Sequence, residues 1–148
     1  MALETGAPAP DVTALNQDGD EVSPAFDETA VVYFYPRDGT PGCTLEAREF
    51  EADIESFRRA GVTVYGVSTD DVGSHREFAD EEDLSFDLLA DPDGEVADAF
   101  GVERRGDFVD RITFVVGDGE IGAVIDADDM RPEGHAADVL EAVREIEE

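Results

Sequence analysis

Lysine and tryptophan are absent from the 148 residues, and cysteine occurs once, as Cys43. A lone cysteine excludes an intrachain disulfide, and a reducing, cytoplasmic setting fits it best. Long hydrophobic runs are missing too: no stretch approaches the roughly 18 apolar residues a membrane span needs. The opening MALETGAPAPD carries neither the basic region nor the apolar core of a targeting peptide. Positive charge is scarce, with ten arginines against 39 acidic residues and a formal net charge of −29. Such a surface argues against nucleic acid or an anionic membrane as a partner.

What is there is acid interleaved with periodic apolar residues along the whole length, which reads as a folded domain with an acidic skin and not as a disordered tail. Self-repulsion on this scale destabilises a compact state in dilute buffer, whereas molar salt shortens the Debye length to about 3 Å and screens it. The absence of lysine, whose long stem presents hydrocarbon where salt already strengthens apolar association, points the same way. The chain is therefore expected to be adapted to high salt. Its melting temperature should rise from dilute buffer to molar salt, and a melt with no gain would refute the adaptation.

Hydrophobic periodicity predicts alternating strands and helices. Residues 12–15 and 21–22 flank Gln17-Asp-Gly-Asp20 as an N-terminal hairpin. Residues 30–35 (AVVYFY) and 62–68 (VTVYGVS) read as strands buried on both faces. Between them, residues 43–60 carry Leu45, Phe50, Ile54 and Phe57 at helical spacing, with Gly61 placed to end the helix. A polar helix at 72–83, a strand at 86–90 and a short helix at 95–100 follow. Strands at 112–116 and 121–126 surround Gly117-Asp-Gly119, and a helix at 132–147 opens on Pro132. This order predicts an α/β, thioredoxin-like fold: a central mixed sheet flanked by helices. No repeat, linker or composition shift divides it, so residues 1–148 read as one domain.

Cys43 lies in Pro36-Arg-Asp-Gly-Thr-Pro-Gly-Cys43, between a strand and a helix. Thr40 suits the N-cap and Pro41 the first helical position, which puts the sulfur in the first turn. Free backbone N–H groups and the positive end of the helix dipole there favour ionisation of a thiol. A lone cysteine is often just a small buried hydrophobe. The polar, Gly- and Pro-rich loop favours chemistry instead, as does the local balance of Arg37 and Arg48 against Asp38, Glu46 and Glu49.

The segment Tyr33-Phe-Tyr-Pro-Arg-Asp-Gly-Thr-Pro-Gly-Cys-Thr-Leu-Glu-Ala47 resembles the active-site segment of peroxiredoxins, in particular the bacterioferritin-comigratory or Q-type subfamily. The pattern Pro-x3-Thr-x2-Cys falls on Pro36, Thr40 and Cys43, with an acidic residue three places on at Glu46. Asp110-Arg-Ile-Thr-Phe-Val-Val-Gly-Asp-Gly119 is similar to a second family patch and puts the family's arginine on Arg111. The opening at 6–11 agrees as well, so the likeness runs over essentially the whole chain. It implies a thiol-dependent peroxidase for hydrogen peroxide and organic hydroperoxides in antioxidant defence, with a sulfenic acid formed at Cys43 and no cofactor or metal.

The chemistry fits these residue types. A thiol of ordinary pKa about 8.5 gains at most roughly 30-fold, or about 2 kcal/mol, from complete ionisation. The remainder must come from aligning the peroxide and stabilising charge on the departing oxygen. Thr40 offers a hydroxyl, the N–H groups near Gly42 and Cys43 offer donors, Arg111 a permanent cation, and Pro36 a shield from water. Glu46, by the resemblance, orients the arginine. Where many members carry a resolving cysteine, five residues on, this chain has Arg48. Resolution must then come from an external thiol: a small molecule, a thioredoxin-like protein, or Cys43 of another subunit in a monomeric or homodimeric enzyme.

Other constellations are weaker. A phosphatase loop needs arginine six places after the cysteine, where Glu49 stands, and Gly117-Asp-Gly119 lacks dinucleotide spacing. A cysteine hydrolase would need His75 or His135 close by, yet both lie on polar helical stretches and read as solvated. The carboxylates at 70–71, 81–83 and 126–129 read as solvated faces, and Asp91-Pro-Asp-Gly94 reads as a turn. One rival class remains, a non-catalytic redox sensor or binding module that uses the same thiol.

Overall fold

A computed structural model describes residues 3–24, 28–105, 108–126 and 139–143. Seven strands form one sheet in the order β2-β1-β5-β4-β3-β8-β9: β1 (Ala14–Leu15), β2 (Glu21–Val22), β3 (Ala30–Phe34), β4 (Thr63–Ser68), β5 (Asp87–Ala90), β8 (Ile112–Gly117) and β9 (Glu120–Asp126). The three central strands β3, β4 and β5 are parallel, whereas β8 runs antiparallel to β3. The N-terminal hairpin joins the β5 edge through Leu15 and Ala90. This is the mixed sheet the sequence predicts.

Every residue of β3 is buried, because its two faces feed two cores. Val31 and Tyr33 pack with α1 (Pro41–Ala52), α2 (Ile54–Arg59) and α3 (Val72–Glu82) through Ala47, Phe50, Phe57 and Phe78. Val32 and Phe34 pack on the other face with Val96, Ala97 and Phe100 of α4 (Glu95–Phe100). Period-two alternation thus places a continuous apolar run between two helical layers. Tyr33 stacks on Phe50 with ring centroids 4.4 Å apart. Its neighbour on β4 must be glycine, since a Cβ at Gly66 would meet the Tyr33 ring at 2.9 Å.

One predicted element needs correction, and one element was missed. The expected helix at 43–60 is two, kinked at Asp53 (φ −99°, ψ 6°), although Asp53 N–H still donates to Glu49 and Phe57 N–H to the Asp53 carbonyl. Apolar spacing runs unbroken through the kink, so periodicity could not reveal it. A further hairpin, β6 (Arg104–Arg105) with β7 (Phe108–Val109), has two-residue strands too short for any alternating pattern. Of the expected terminal helix, residues 139–143 are helical and the rest lie outside the described residues.

Candidate active site

The loop after β3 delivers Cys43 into the first turn of α1. Thr40 is the N-cap: its Oγ1 accepts from the Cys43 N–H at 3.4 Å and donates to the Arg37 carbonyl at 3.3 Å. One of the backbone donors expected to face a substrate is therefore already engaged by the cap. The sulfur itself is 1% exposed, so burial and a reactive setting coincide at this cysteine. Pro36, half-buried at the head of the loop, has no N–H and stays outside these hydrogen bonds.

Arg111 reaches the sulfur from the far side of the sequence. Phe34 at the end of β3 pairs with Ile112 at the start of β8, which sets Arg111 beside the loop. Its guanidinium donates from Nη2 to Cys43 Sγ at 3.3 Å and from Nη1 to Glu46 Oε1 at 2.5 Å. Glu46 lies three residues after Cys43, on the same helix face, so one planar fork spans both. All three side chains are buried. Arg111 Nε, also buried, has no hydrogen-bond partner among the described residues. The structure thus brings Cys43, Thr40, Glu46 and Arg111 together.

The electrostatics are those of two acids sharing one base. Burial works against the Arg111 cation, but Glu46 and Cys43 outweigh it and raise the arginine further above its ordinary value. For Glu46, burial dominates and raises the carboxyl from 4.5 to about 7, with Arg111 pulling it down. A raised carboxyl means the folded state holds its proton more tightly than the unfolded chain does. Glu46 therefore stabilises the fold fully below pH 4.5 and loses that contribution as pH rises through about 7. Across that window wild type should lose on the order of 3 kcal/mol more than Glu46→Gln. Denaturation midpoints at both ends check this, and identical pH slopes would refute it.

His75 departs from expectation. It is fully buried, not solvated, and its ring lies between Asp38 of the loop and the Leu89 carbonyl of β5. Asp70, expected on a solvated face, accepts from the Asp38 N–H and the Ser68 hydroxyl, both at 2.7 Å. Sequence reasoning missed this cluster, because a histidine amid Ser, Arg and Glu gives no sign of burial. The available signal was Asp38 itself, a carboxylate inside the loop that delivers Cys43. His135 lies outside the described residues. Beyond the cluster, the β6–β7 hairpin sets the exposed Phe108 ring 5.9 Å from the Arg37 guanidinium.

A mixed sheet that sets a buried thiol at a helix N-terminus, against an arginine braced by a carboxylate, defines a thiol-dependent peroxidase. Residues 5–124 match the AhpC/TSA family, and the chain belongs to it, as a peroxiredoxin of the Q or Bcp type. It is 35% identical to peroxiredoxin Bcp of Escherichia coli, over 97% of each protein. Its fold matches the crystal structure of peroxidoxin BcpB from Mycobacterium tuberculosis with a TM-score of 0.89 and 33% identity, covering 97% of this chain and 98% of that one. A structure of the bacterioferritin comigratory protein of Xanthomonas campestris, described for its alkyl peroxide reduction activity, matches with a TM-score of 0.84 and 28% identity over 98% of each. The fold is accordingly thioredoxin-like. No helix among the described residues is long and apolar enough to cross a membrane.

Proposed function

We propose that Cys43 is the nucleophile of this peroxidase and that an external thiol completes each cycle. The observation that carries the reading is the Arg111 guanidinium bridging Cys43 Sγ and Glu46. The thiolate attacks the terminal peroxide oxygen, a new S–O bond forms as the O–O bond breaks, and the departing oxygen leaves as water or an alcohol after taking up a proton. Arg111 holds the charge developing on that oxygen, and its unpaired Nε–H is a donor a bound peroxide would satisfy. Thr40 turns its hydroxyl from Arg37 to the peroxide, Pro36 shields the sulfur from water, and Glu46 holds the guanidinium in plane.

The sulfenic acid then condenses with an incoming thiol to a mixed disulfide and water, and a second thiol releases Cys43 while the donor pair becomes a disulfide. With no second cysteine in the chain, both thiols come from outside: a small-molecule thiol, a thioredoxin-like protein, or Cys43 of a second copy. Organic hydroperoxides join hydrogen peroxide as substrates by analogy with the Xanthomonas relative. The wider reading is a cytoplasmic antioxidant enzyme, one domain over residues 1–148, monomeric or homodimeric, adapted to salt by its acidic skin. Peroxide consumption with a supplied thiol tests it. Without thiol, consumption should stop at one peroxide per chain, with one added oxygen on Cys43 by mass; an unmodified Cys43 would refute the reading.

A further inference from the structure

We infer that His75 is a positioning residue for the peroxidase reaction, acting through Asp38 on the loop that carries Thr40 and Cys43; the inference rests on the reading of Cys43 given above. His75 side-chain exposure is 0% and that of Asp38 is 5%. The ring Nε2 lies 3.0 Å from the Leu89 carbonyl on β5, and Nδ1 lies 2.7 Å from Asp38 Oδ2. A carbonyl can only accept, so Nε2–H donates to Leu89, and Nδ1 faces the Asp38 carboxyl group. The remaining donors to Asp38 are the Tyr35 hydroxyl on Oδ1 at 2.6 Å and the Ser74 hydroxyl on Oδ2 at 2.8 Å.

Asp38 is the hinge of this arrangement. It lies two residues before Thr40, and its own N–H is held by Asp70, whose carboxylate is fixed in turn by Ser68 at the end of β4. Tyr35 just past β3, the end of β4 and α3 therefore grip the loop at one residue, with His75 as the link to β5. Asp38 and Cys43 both raise the Tyr33 phenol, after burial and Glu46, and His75 fixes the loop that joins them from the β5 side. The types Asp, Asp and His are also those that hold metal ions, but both ring nitrogens already point at oxygen acceptors, so neither offers a lone pair to a cation.

The test uses wild type, His75→Gln, Asp38→Asn and the double variant. For each, the second-order rate of Cys43 with hydrogen peroxide is compared with its rate of alkylation by iodoacetamide, which needs a thiolate but no peroxide alignment. Each single variant should lose roughly 10- to 100-fold in the peroxide rate and several-fold less in alkylation. The double variant should be no slower than the slower single one, since both substitutions break one unit. Losses that multiply in the double variant, equal losses in the two reactions, or an unchanged peroxide rate would overturn the inference. Should His75→Gln fail to fold, Asp38→Asn, which keeps the shape and replaces one acceptor oxygen, carries the test by its ratio of the two rates. Wild-type protein that consumes no peroxide would instead refute the reading of Cys43.

Discussion

Replacing Cys43 by serine should abolish peroxide consumption, down to the rate of the thiol reductant alone. The hydroxyl that replaces the sulfur remains un-ionised near neutral pH, and oxygen is a poor nucleophile toward an O–O bond. No second sulfur nucleophile of this kind exists in the chain to take over. The shape of the site is retained, because serine is close in size to cysteine and Arg111 keeps Glu46 as its partner. The variant should therefore unfold cooperatively, and loss of activity would report chemistry alone. Turnover that survives the substitution would refute the assignment. Wild-type protein that is oxidised by peroxide but never turned over by any thiol would instead favour a sensor.

Arg111→Met should lower the second-order rate with peroxide by about 10²- to 10³-fold, the usual effect of removing one donor to a developing oxyanion. It should also destabilise the fold above pH 7 by about 3–5 kcal/mol, because it takes the cation away from the buried, charged Glu46. The two losses have different cures. At acidic pH burial keeps Glu46 protonated, so the stability defect should shrink there while the rate defect persists. Adding Glu46→Met should restore most of the stability, since replacing both partners of a buried ion pair is often neutral, yet none of the rate. Denaturation midpoints and stopped-flow oxidation rates decide between these outcomes. A double variant that regains the rate would show that Arg111 serves only to neutralise Glu46.

The sheet was legible because its strands are short apolar runs bounded by Gly, Pro and Asp turns, and β3 announced its burial on both faces by lacking any polar residue. Thr40 and Cys43 were legible from helix-capping signals, whereas the joining of Glu46 and Arg111 to them was legible only with the family resemblance. Spacing puts Glu46 on the Cys43 face, but nothing in the residues alone brings Arg111 across 68 positions. The kink at Asp53 left no trace, since Phe50, Ile54 and Phe57 keep one period on both sides of it. His75 was misjudged for a related reason. Hydrophobic patterning registers apolar side chains, and a buried polar residue satisfied by hydrogen bonds to distant strands has no local signature.

Because Arg111 meets Cys43 only where β8 lies along β3, the reactive centre is a product of long-range folding. A chain that has made β3 and α1, but has yet to emerge as far as β8, holds the thiol without its arginine. Its reactivity toward oxidants switches on with the last strands to be added. The order of synthesis thus guards the one sulfur this protein cannot replace.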